Sequence, residues 1–403
     1  MLAQPETDDR VSSRPAGVVI LGGAHGTLAL ARSLGSRKVP VWLVSNDTPL
    51  PGFSRYARHT MTWPGPDDAR AVDFLLDLAR THGLGGFLLI AGGDPEVRFL
   101  SQAIDQLRTV FEVVLPPWEQ LKWVCEKPLL YRRARELGLA VPLTYAITAC
   151  GQAAQAELRF PVILKPNMGG RSRFARAKAV LAGDLKTFLA AYEWASEDIG
   201  GENVVVQEMI PGGGESQFSY AALWDQGAPV VEFTARRTRQ YPVDFGYTST
   251  FVEVVDEPQL IAAARRLLES IGHHGLVEVE FKRDARDGSM KVLDVNPRPW
   301  TWFGLGAAAG IDLGAILWAV RSGQHPPVAT ARPGTSWMYL VRDMVAAGQL
   351  ITSGRLTRRA YFGSFAAVRA WATFMARDPV PALIDVPLTV WRVLTRRVFR
   401  LPR

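Results

Sequence analysis

Hydrophobic residues in the first third of the chain form short continuous runs that alternate with helix-like spacings. Apolar runs of this length predict buried strands, and apolar residues that recur every three or four positions predict helices. The strand-like runs lie at 18–21, 40–45 and 87–93. The helix-like patterns lie at 27–35, 72–80 and 95–107. This succession is typical of a small parallel α/β domain, which we place at residues 17–120, where the prolines of LPPW end the pattern.

The turn GGAHG at 22–26 connects the first predicted strand to the first predicted helix. It contains half of the glycine fingerprint of dinucleotide sites, because Gly23 and Gly26 are present but Leu21 stands where the first glycine belongs. The incomplete fingerprint favours the alternative, a tight strand-to-helix crossover. Asp94 and Glu96 follow the third predicted strand, at the edge where open sheets bind ligands, although helix capping would also explain them.

The pattern changes after residue 120. Strand-like segments separated by glycine turns follow one another to about residue 320, which is typical of an α+β region with an antiparallel sheet. They are PVILKP, NVVVQEMI, YAALWD, PVVEFTARR, LVEVEFKRD and KVLDVNP. We expect two subdomains here, at 121–204 and 205–320. The apolar stretch 301–320 predicts a buried helix rather than a membrane span, because Asp312 interrupts it.

Acidic residues occupy one face of a predicted hairpin in GLVEVEFKRDARDGSMKVLDVNPR. Alternation puts Glu278 and Glu280 on one face of the first strand and Asp294 and Asn296 on one face of the second. If the turn is centred on Asp287, Glu280 lies opposite Asp294 and Glu278 lies opposite Asn296. A shift of two residues would keep the faces and change the partners.

Two facing carboxylates repel each other, so positive charge is expected between them. Oxygen ligands without histidine or cysteine suit Mg²⁺, which takes a few protein oxygens and completes its shell with water and phosphate. The alternative is an exposed sheet face on which Lys282 and Arg298 neutralise the acids. The hairpin by itself leaves both interpretations open.

Two glycine-containing loops could contact a nucleotide. In FPVILKPNMGGRSRF, Lys165 ends a strand and the following backbone N–H groups could approach phosphate oxygens, with Arg171, Ser172 and Arg173 as further donors. A plain hairpin with a solvated basic tip is the alternative. In VVVQEMIPGGGES, a buried strand runs into a glycine turn, so its edge could bind a flat base and Glu215 a sugar hydroxyl.

Composition and charge narrow the class of protein. The 403 residues are 48% hydrophobic, which is enough for a sizeable core, and the two cysteines are too few for a disulfide framework. The first sixteen residues have three acidic side chains and no apolar run, so we expect a disordered start. The net charge is +7, yet residues 331–403 contain twelve arginines and three aspartates, a net of +9. A near-neutral body argues against a nucleic-acid binder.

The order of these motifs resembles the ATP-grasp superfamily. The resemblance spans about residues 18–320 and includes the small α/β domain. It rests on Lys127 in CEKPLLYRRARELGLAVP, Lys165 in FPVILKP, the VVVQEMIPGGGES linker, Glu280 in VEVEF, and LDVNPR at 293–298. It implies an ATP-grasp fold of mixed α/β and α+β elements, with an N-terminal Rossmann-like domain and a basic helical C-terminal extension at 321–403.

The resemblance also implies a role for each matching residue. Phosphate contacts would come from Lys127, Lys165, Gly169, Gly170, Arg171 and Ser172. Adenine and ribose contacts would come from Gln207, from the backbone of Glu208 and Ile210, and from Glu215. Mg²⁺, as two ions, would be held by Glu280, Asp294 and Asn296. Arg298 would act with Lys165 on the transferring phosphoryl group. Two positions depart from the common pattern, because Gln207 and Asp294 stand where glutamate is frequent.

The reaction implied is the joining of a carboxylate to an amine through an acyl phosphate, with release of ADP and phosphate. "RQYPVDFGY" and "NPRPW" resemble the carboxylate-amine ligases near D-aspartate ligase. A carboxylase-like enzyme that uses bicarbonate and a non-catalytic ATP-binding module are the alternatives.

The partners implied are small-molecule acids and amines, with no nucleic acid, and the oligomeric state is left open between monomer and homodimer. We expect a cytoplasmic protein. The tail RVLTRRVFRLPR alternates arginines with apolar residues, so it could contact an anionic membrane at its inner face or an acidic partner, or pack on the body with a solvated arginine face.

Overall fold

The structure is a computed structural model that describes residues 14–46, 49–169, 172–177, 179–244, 248–326 and 328–393. Gly170 and Arg171 of the predicted phosphate loop lie outside the described residues. The same is true of the first thirteen residues of the chain and of the last ten.

The first sheet is built from five short parallel strands in the order β3-β2-β1-β4-β5. Its apolar strands are buried because helices cover both faces, as the continuous runs predict. In chain order the elements are β1 (Val18–Leu21), α1 (His25–Gly35), β2 (Val41–Val44), β3 (His59–Met61), α2 (Ala71–His82), β4 (Leu88–Ala91), α3 (Asp94–Gln102), α4 (Ile104–Leu107) and β5 (Glu112–Val113). Two helices follow, α5 (Trp118–Cys125) and α6 (Lys127–Glu136).

The GGAHG turn is the tight crossover that the incomplete fingerprint favours. Gly22 and Gly23 have φ angles of +64° and +81°, which glycine adopts without strain. A Cβ atom at Gly26 would lie 2.3 Å from the Pro299 carbonyl oxygen. Packing against the strand exit at 299–300 therefore accounts for this glycine without a nucleotide.

The second sheet has four strands in the order β6-β9-β7-β8, all antiparallel. One helix, α9, begins with a capping box formed by Asp184 and Thr187. The elements are β6 (Thr144–Tyr145), α7 (Cys150–Gln155), β7 (Val162–Pro166), α8 (Arg173–Ala177), β8 (Val180–Ala182), α9 (Leu185–Ile199) and β9 (Val204–Glu208).

The third sheet has seven strands in the order β14-β13-β10-β11-β12-β15-β16, antiparallel except for the last pair. Its elements are β10 (Gln217–Asp225), β11 (Ala228–Tyr241), β12 (Thr248–Val255), α10 (Pro258–Glu269), β13 (Gly275–Arg283), β14 (Met290–Asn296), α11 (Gly304–Ala309), α12 (Leu313–Arg321), β15 (Ser336–Met338), α13 (Leu340–Thr352), α14 (Arg358–Ser364), β16 (Val368–Trp371) and α15 (Val380–Val393).

The single helix predicted at 301–320 is two helices, so that prediction is wrong in part. Gly310 ends α11 in the left-handed region (φ +104°), and Asp312 caps α12 by accepting a hydrogen bond from the Ala315 N–H at 3.2 Å. Both helices have buried faces. Among the described residues, no helix is long and apolar enough to cross a bilayer.

The region after residue 320 is not purely helical, because β15 and β16 extend the third sheet. Buried polar contacts attach its helices to the body. Arg239 of β11 donates two hydrogen bonds, at 2.8 and 2.9 Å, to the two carboxylate oxygens of Asp343 in α13. Arg32 of α1 donates to Asp378 at 2.8 Å. Both pairs are almost fully buried, so the extension is part of the folded body.

A buried histidine should make the protein sensitive to acid. His273 is fully buried, and burial lowers the pKa of its imidazole from 6.5 to about 3. The unfolded chain binds a proton at this histidine near pH 6.5 and the folded chain does not, so stability falls as the pH drops below 6.5. The free energy of unfolding of the wild type should therefore fall by roughly 1 kcal/mol per pH unit more than that of His273→Leu. Denaturant unfolding between pH 7 and pH 5 measures this difference.

The control for this experiment is His325→Gln, at an exposed histidine. Parallel pH dependences for the wild type and His273→Leu would contradict the prediction.

Candidate active site

The predicted register of the acidic hairpin is confirmed. Glu280 of β13 pairs with Asp294 of β14, and Glu278 pairs with Asn296. Val279 and Val295 lie on the opposite face in the hydrophobic core, where both are almost fully buried. The alternation of the two strands therefore brings the polar side chains to one face, at the side of the third sheet where β14 is the edge strand.

Asn296 links the two glutamates of β13. Its Nδ2 donates hydrogen bonds to Glu278 Oε2 and to Glu280 Oε1, both at 3.0 Å. Ser219 of β10 donates a further hydrogen bond to Glu278 at 2.9 Å. Arg237 of β11 approaches Glu280 Oε2 at 3.4 Å. Four strands thus contribute to one polar cluster.

Glu278 differs from Glu280 in its surroundings, because only 2% of it is exposed. Burial, and secondarily the neighbouring Glu280 carboxylate, raise the pKa of Glu278 to about 8. Glu278 is therefore largely protonated near neutral pH, which relieves the repulsion between the two acids. The sequence indicated its position opposite Asn296, but the faces of a hairpin do not tell how deeply each acid is buried.

Two lysines converge on this cluster from outside the hairpin. Lys127, at the start of α6, forms an ion pair of 3.1 Å with Asp294. Lys165, in β7, lines the same cavity. Burial, followed by the charge of Lys127, lowers the pKa of Lys165 to about 8, while Asp294 and Glu280 oppose this shift. Both ammonium groups therefore lie close to the acidic hairpin.

Arg298 lies between the hairpin and the first sheet. Its Nε donates to Asp94 at 2.5 Å, and its Nη2 donates to the Asn296 side-chain oxygen at 3.1 Å. Asp94 also contacts the glycine loop, since a Cβ atom at Gly169 would lie 2.5 Å from Asp94 Oδ2. The first domain, the glycine loop and the acidic hairpin thus meet at one arginine.

These groups line a cavity of about 780 Å³. Its lining includes Ile163 and Gln207 of the second sheet, Ile210 just after β9, and Leu293 of β14. Gln207 is almost fully buried, and its Nε2 donates to the Thr144 hydroxyl at 3.1 Å. Its Oε1 is buried and has no hydrogen-bond partner among the described residues. Such an acceptor in an apolar slot suits the amino group of a planar base.

The match to a family and to solved structures agrees with this site. Residues 224–341, which include the acidic hairpin, match the family described as "ATP-grasp in the biosynthetic pathway with Ter operon". The biotin carboxylase domain of the Hydrogenobacter thermophilus 2-oxoglutarate carboxylase, solved with MgADP and bicarbonate, has a TM-score of 0.62 at 14% identity over 80% of this chain and 74% of that one. The chain has an ATP-grasp fold.

Two further solved structures are similar at the level of the fold. The L-amino acid ligase of Bacillus licheniformis has a TM-score of 0.59 at 15% identity, over 80% of this chain and 79% of that one. The N5-carboxyaminoimidazole ribonucleotide synthetase of Thermus thermophilus has a TM-score of 0.57 at 15% identity, over 79% of this chain and 81% of that one. No curated protein matches the chain in sequence.

Three residues predicted to contact the nucleotide have other contacts in the structure. Glu208 lines the cavity, and its carboxylate accepts hydrogen bonds from Lys291 at 2.7 Å and from the Leu143 N–H at 2.9 Å. Ser172 accepts a hydrogen bond from the Ala175 N–H at 3.1 Å. Glu215 is exposed and accepts one from the Gly213 N–H at 3.0 Å. Their roles toward ATP stay predictions.

The predicted metal ligands suit Mg²⁺ by their chemistry. Glu280, Asp294 and Asn296 provide hard oxygen donors in one cluster, of which only two are carboxylates. Among the described residues, no group of three histidine, cysteine or acidic side chains could hold a metal by itself. Mg²⁺ in nucleotide sites uses one or two carboxylates and fills its shell with phosphate and water, so a small donor set is what such a site needs.

Sequence reasoning missed the roles of three residues in this site. Asp94 is the hydrogen-bond partner of Arg298, Arg237 is the partner of Glu280, and Lys282 lines the cavity. Lys282 donates to the Gly212 carbonyl at 2.8 Å, and burial lowers its pKa to about 8. The signal for Arg237 was strand alternation in TARRTRQ, which places it on one face with Ala235.

Proposed function

We propose that the protein is an ATP-dependent ligase that joins an organic carboxylate to an amine through an acyl phosphate. The observation that carries this proposal is the extent of the cavity. Besides the acidic hairpin, Trp300, Trp302 and Val345 line this cavity of about 780 Å³, which is far more space than a bicarbonate ion would need. Lys127, Lys165, Glu280 and Arg298 at its centre are the charged groups that phosphoryl transfer requires.

In the first step, a carboxylate oxygen of the acid attacks the γ-phosphorus of ATP. The bond from that phosphorus to the β–γ bridging oxygen breaks, and ADP leaves with that electron pair. Mg²⁺ bound at the hairpin would neutralise phosphate charge. Lys127 and Lys165 would compensate the same charge from two sides, and Arg298 would orient the γ-phosphoryl group through a guanidinium that Asp94 and Asn296 hold in place.

In the second step, the amine nitrogen attacks the carbonyl carbon of the acyl phosphate. The bond from carbon to the phosphate oxygen breaks, phosphate leaves and the nitrogen loses a proton to solvent. Arg298 would stabilise charge on the departing phosphate. The aromatic wall formed by Trp300 and Trp302 would keep water from the mixed anhydride, which hydrolyses readily.

Hydroxylamine tests this proposal, because it captures an acyl phosphate as a hydroxamate. We expect a panel of organic acids and amino acids to contain at least one member that stimulates ADP release and yields a hydroxamate only with ATP and Mg²⁺. Stimulation by bicarbonate alone would favour the carboxylase-like reaction, and MgATP binding without ADP release from any acid would favour a non-catalytic module.

The finer expectations are part of the same proposal. They are two Mg²⁺ ions, domains at 17–120, 121–320 and 321–403, a cytoplasmic location, a homodimer as an alternative to a monomer, and membrane or acidic-partner contact through the tail. The last ten residues of that tail lie outside the described part of the chain.

A further inference from the structure

The region after residue 320 supplies one wall of the cavity. Val341, Arg342 and Val345 of α13 and Thr389 of α15 line it together with Ser249 of β12. In the sheet order, β12 is three strands from β13, which corresponds to about 14 Å. This wall is therefore separate from the hairpin at which phosphoryl transfer is proposed, and we call it the distal wall.

The distal wall contains one arginine, Arg342, whose contacts in the described part of the chain are with neutral groups. The Arg342 guanidinium donates to the Thr248 hydroxyl at 3.2 Å and lies 5.4 Å from the Tyr339 ring. No ion pair of Arg342 occurs within the described ranges. Asp343 is paired with Arg239, and Asp244 with Arg355 at 3.1 Å. A half-buried guanidinium beside a cavity favours an anion there.

The position of Arg342 is well defined. The next residue, Asp343, is fully buried and forms the paired hydrogen bonds with Arg239 of β11. Tyr339, just before α13, donates to Asp385 of α15 at 3.0 Å. Because these contacts fix the start of α13, the Arg342 guanidinium needs little reordering to bind a carboxylate through two parallel hydrogen bonds.

The cavity that Arg342 lines has an apolar and aromatic part. Trp300 and Trp302 are each 2% exposed, and their ring centroids are 5.3 Å apart. Both residues line the cavity with Val341 and Val345. The indole N–H of Trp300 is buried and has no hydrogen-bond partner in the described part of the chain. A ligand that fills this space would bury an apolar body and could supply the missing acceptor.

We propose that the distal wall binds a substrate carboxylate other than the one that is phosphorylated, carried on an apolar or aromatic body. The inference rests on the proposed ligase function, and it makes Arg342 a specificity-determining residue. The carboxylate could belong to a second acidic group of the activated acid or to the α-carboxylate of an amino acid that acts as the amine. The chemistry of recognition is the same in both cases.

Binding of 3-phenylpropionate and its neutral amide, 3-phenylpropionamide, tests this inference by calorimetry on the full chain with MgADP present. We expect the acid to bind about tenfold more tightly than the amide, and acetate to bind more weakly than either. Arg342→Gln should remove the acid-over-amide preference, and Arg342→Lys should retain part of it. Arg359→Gln, at an exposed arginine of α14, is the matched control and should behave as the wild type.

Equal affinities for acid and amide in the wild type would overturn the inference, as would an unchanged preference in an Arg342→Gln protein that still binds MgADP. If Arg342→Gln does not bind MgADP, the acid and amide affinities of the wild type and of Arg342→Lys test the inference instead. The binding comparison needs no turnover, so it is distinct from a failure of the ligase reaction. A hydroxamate from 3-phenylpropionate would show that its single carboxylate is the one phosphorylated, and this result would overturn the inference. Binding without a hydroxamate would support a site for a carboxylate that stays unmodified.

Discussion

Glu280→Gln is expected to lower acid-dependent ADP release by about 10³-fold, the largest effect of a single substitution in this protein. Glu280 is the metal-ligand candidate that touches both Asn296 and Arg237. The amide keeps its size but loses the negative charge that Mg²⁺ needs, so the Mg²⁺ concentration for half-maximal rate should rise as well. Initial rates over a Mg²⁺ titration measure both effects.

The matched control for Glu280→Gln is Glu253→Gln, in β12. Glu253 pairs with Arg236 at 2.8 Å and does not line the cavity. The apo form of Glu280→Gln should keep the wild-type fold, because glutamine has the same size and its side-chain oxygen can still accept the hydrogen bond from Asn296 Nδ2. A Glu280→Gln enzyme with the wild-type rate and Mg²⁺ dependence would show that the hairpin does not bind the metal.

Lys165→Met is expected to lower kcat/KM for ATP by about 10²-fold, because it removes one of the two ammonium groups proposed to contact the phosphates. The wild-type profile should also depend on pH. Burial sets the pKa of Lys165 at about 8, so its charge is lost as the pH rises through 8. Since kcat/KM reports the free enzyme, the wild-type value should fall above pH 8. The fall should be smaller for Lys165→Met, in which only Glu278 and Lys282 of the site still have a pKa of about 8.

Lys186→Met, at an exposed lysine near the start of α9, is the control for this loss of charge. An unchanged kcat/KM for Lys165→Met would remove Lys165 from the proposed phosphate site. A wild-type profile that stays level between pH 7 and pH 9.5, with Lys165→Met impaired equally at all pH values, would instead place the pKa of this lysine in the active enzyme well above 8.

Local patterns in the sequence were sufficient to predict the strand register of the acidic hairpin. Alternating valines assign the core face of each strand, and the turn around Asp287 aligns the strands, so the pairs Glu280–Asp294 and Glu278–Asn296 could be predicted. The same reasoning failed at 301–320, where apolar residues indicated one helix. Gly310 and Asp312 divide that stretch into two helices. A glycine in the left-handed region ends a helix and an N-cap aspartate begins one, and these local signals outweigh the continuous apolar composition.

The sequence by itself determined which residues share a face and which motifs follow one another, because strand alternation and turn chemistry act over a few residues. Only the tertiary structure decided how deep Glu278 lies, that Asp94 supports Arg298, and that Arg342 reaches the cavity. These contacts join segments up to 204 residues apart, as between Asp94 and Arg298. Their distances and burial depend on how sheets and helices pack, and no local pattern contains that information.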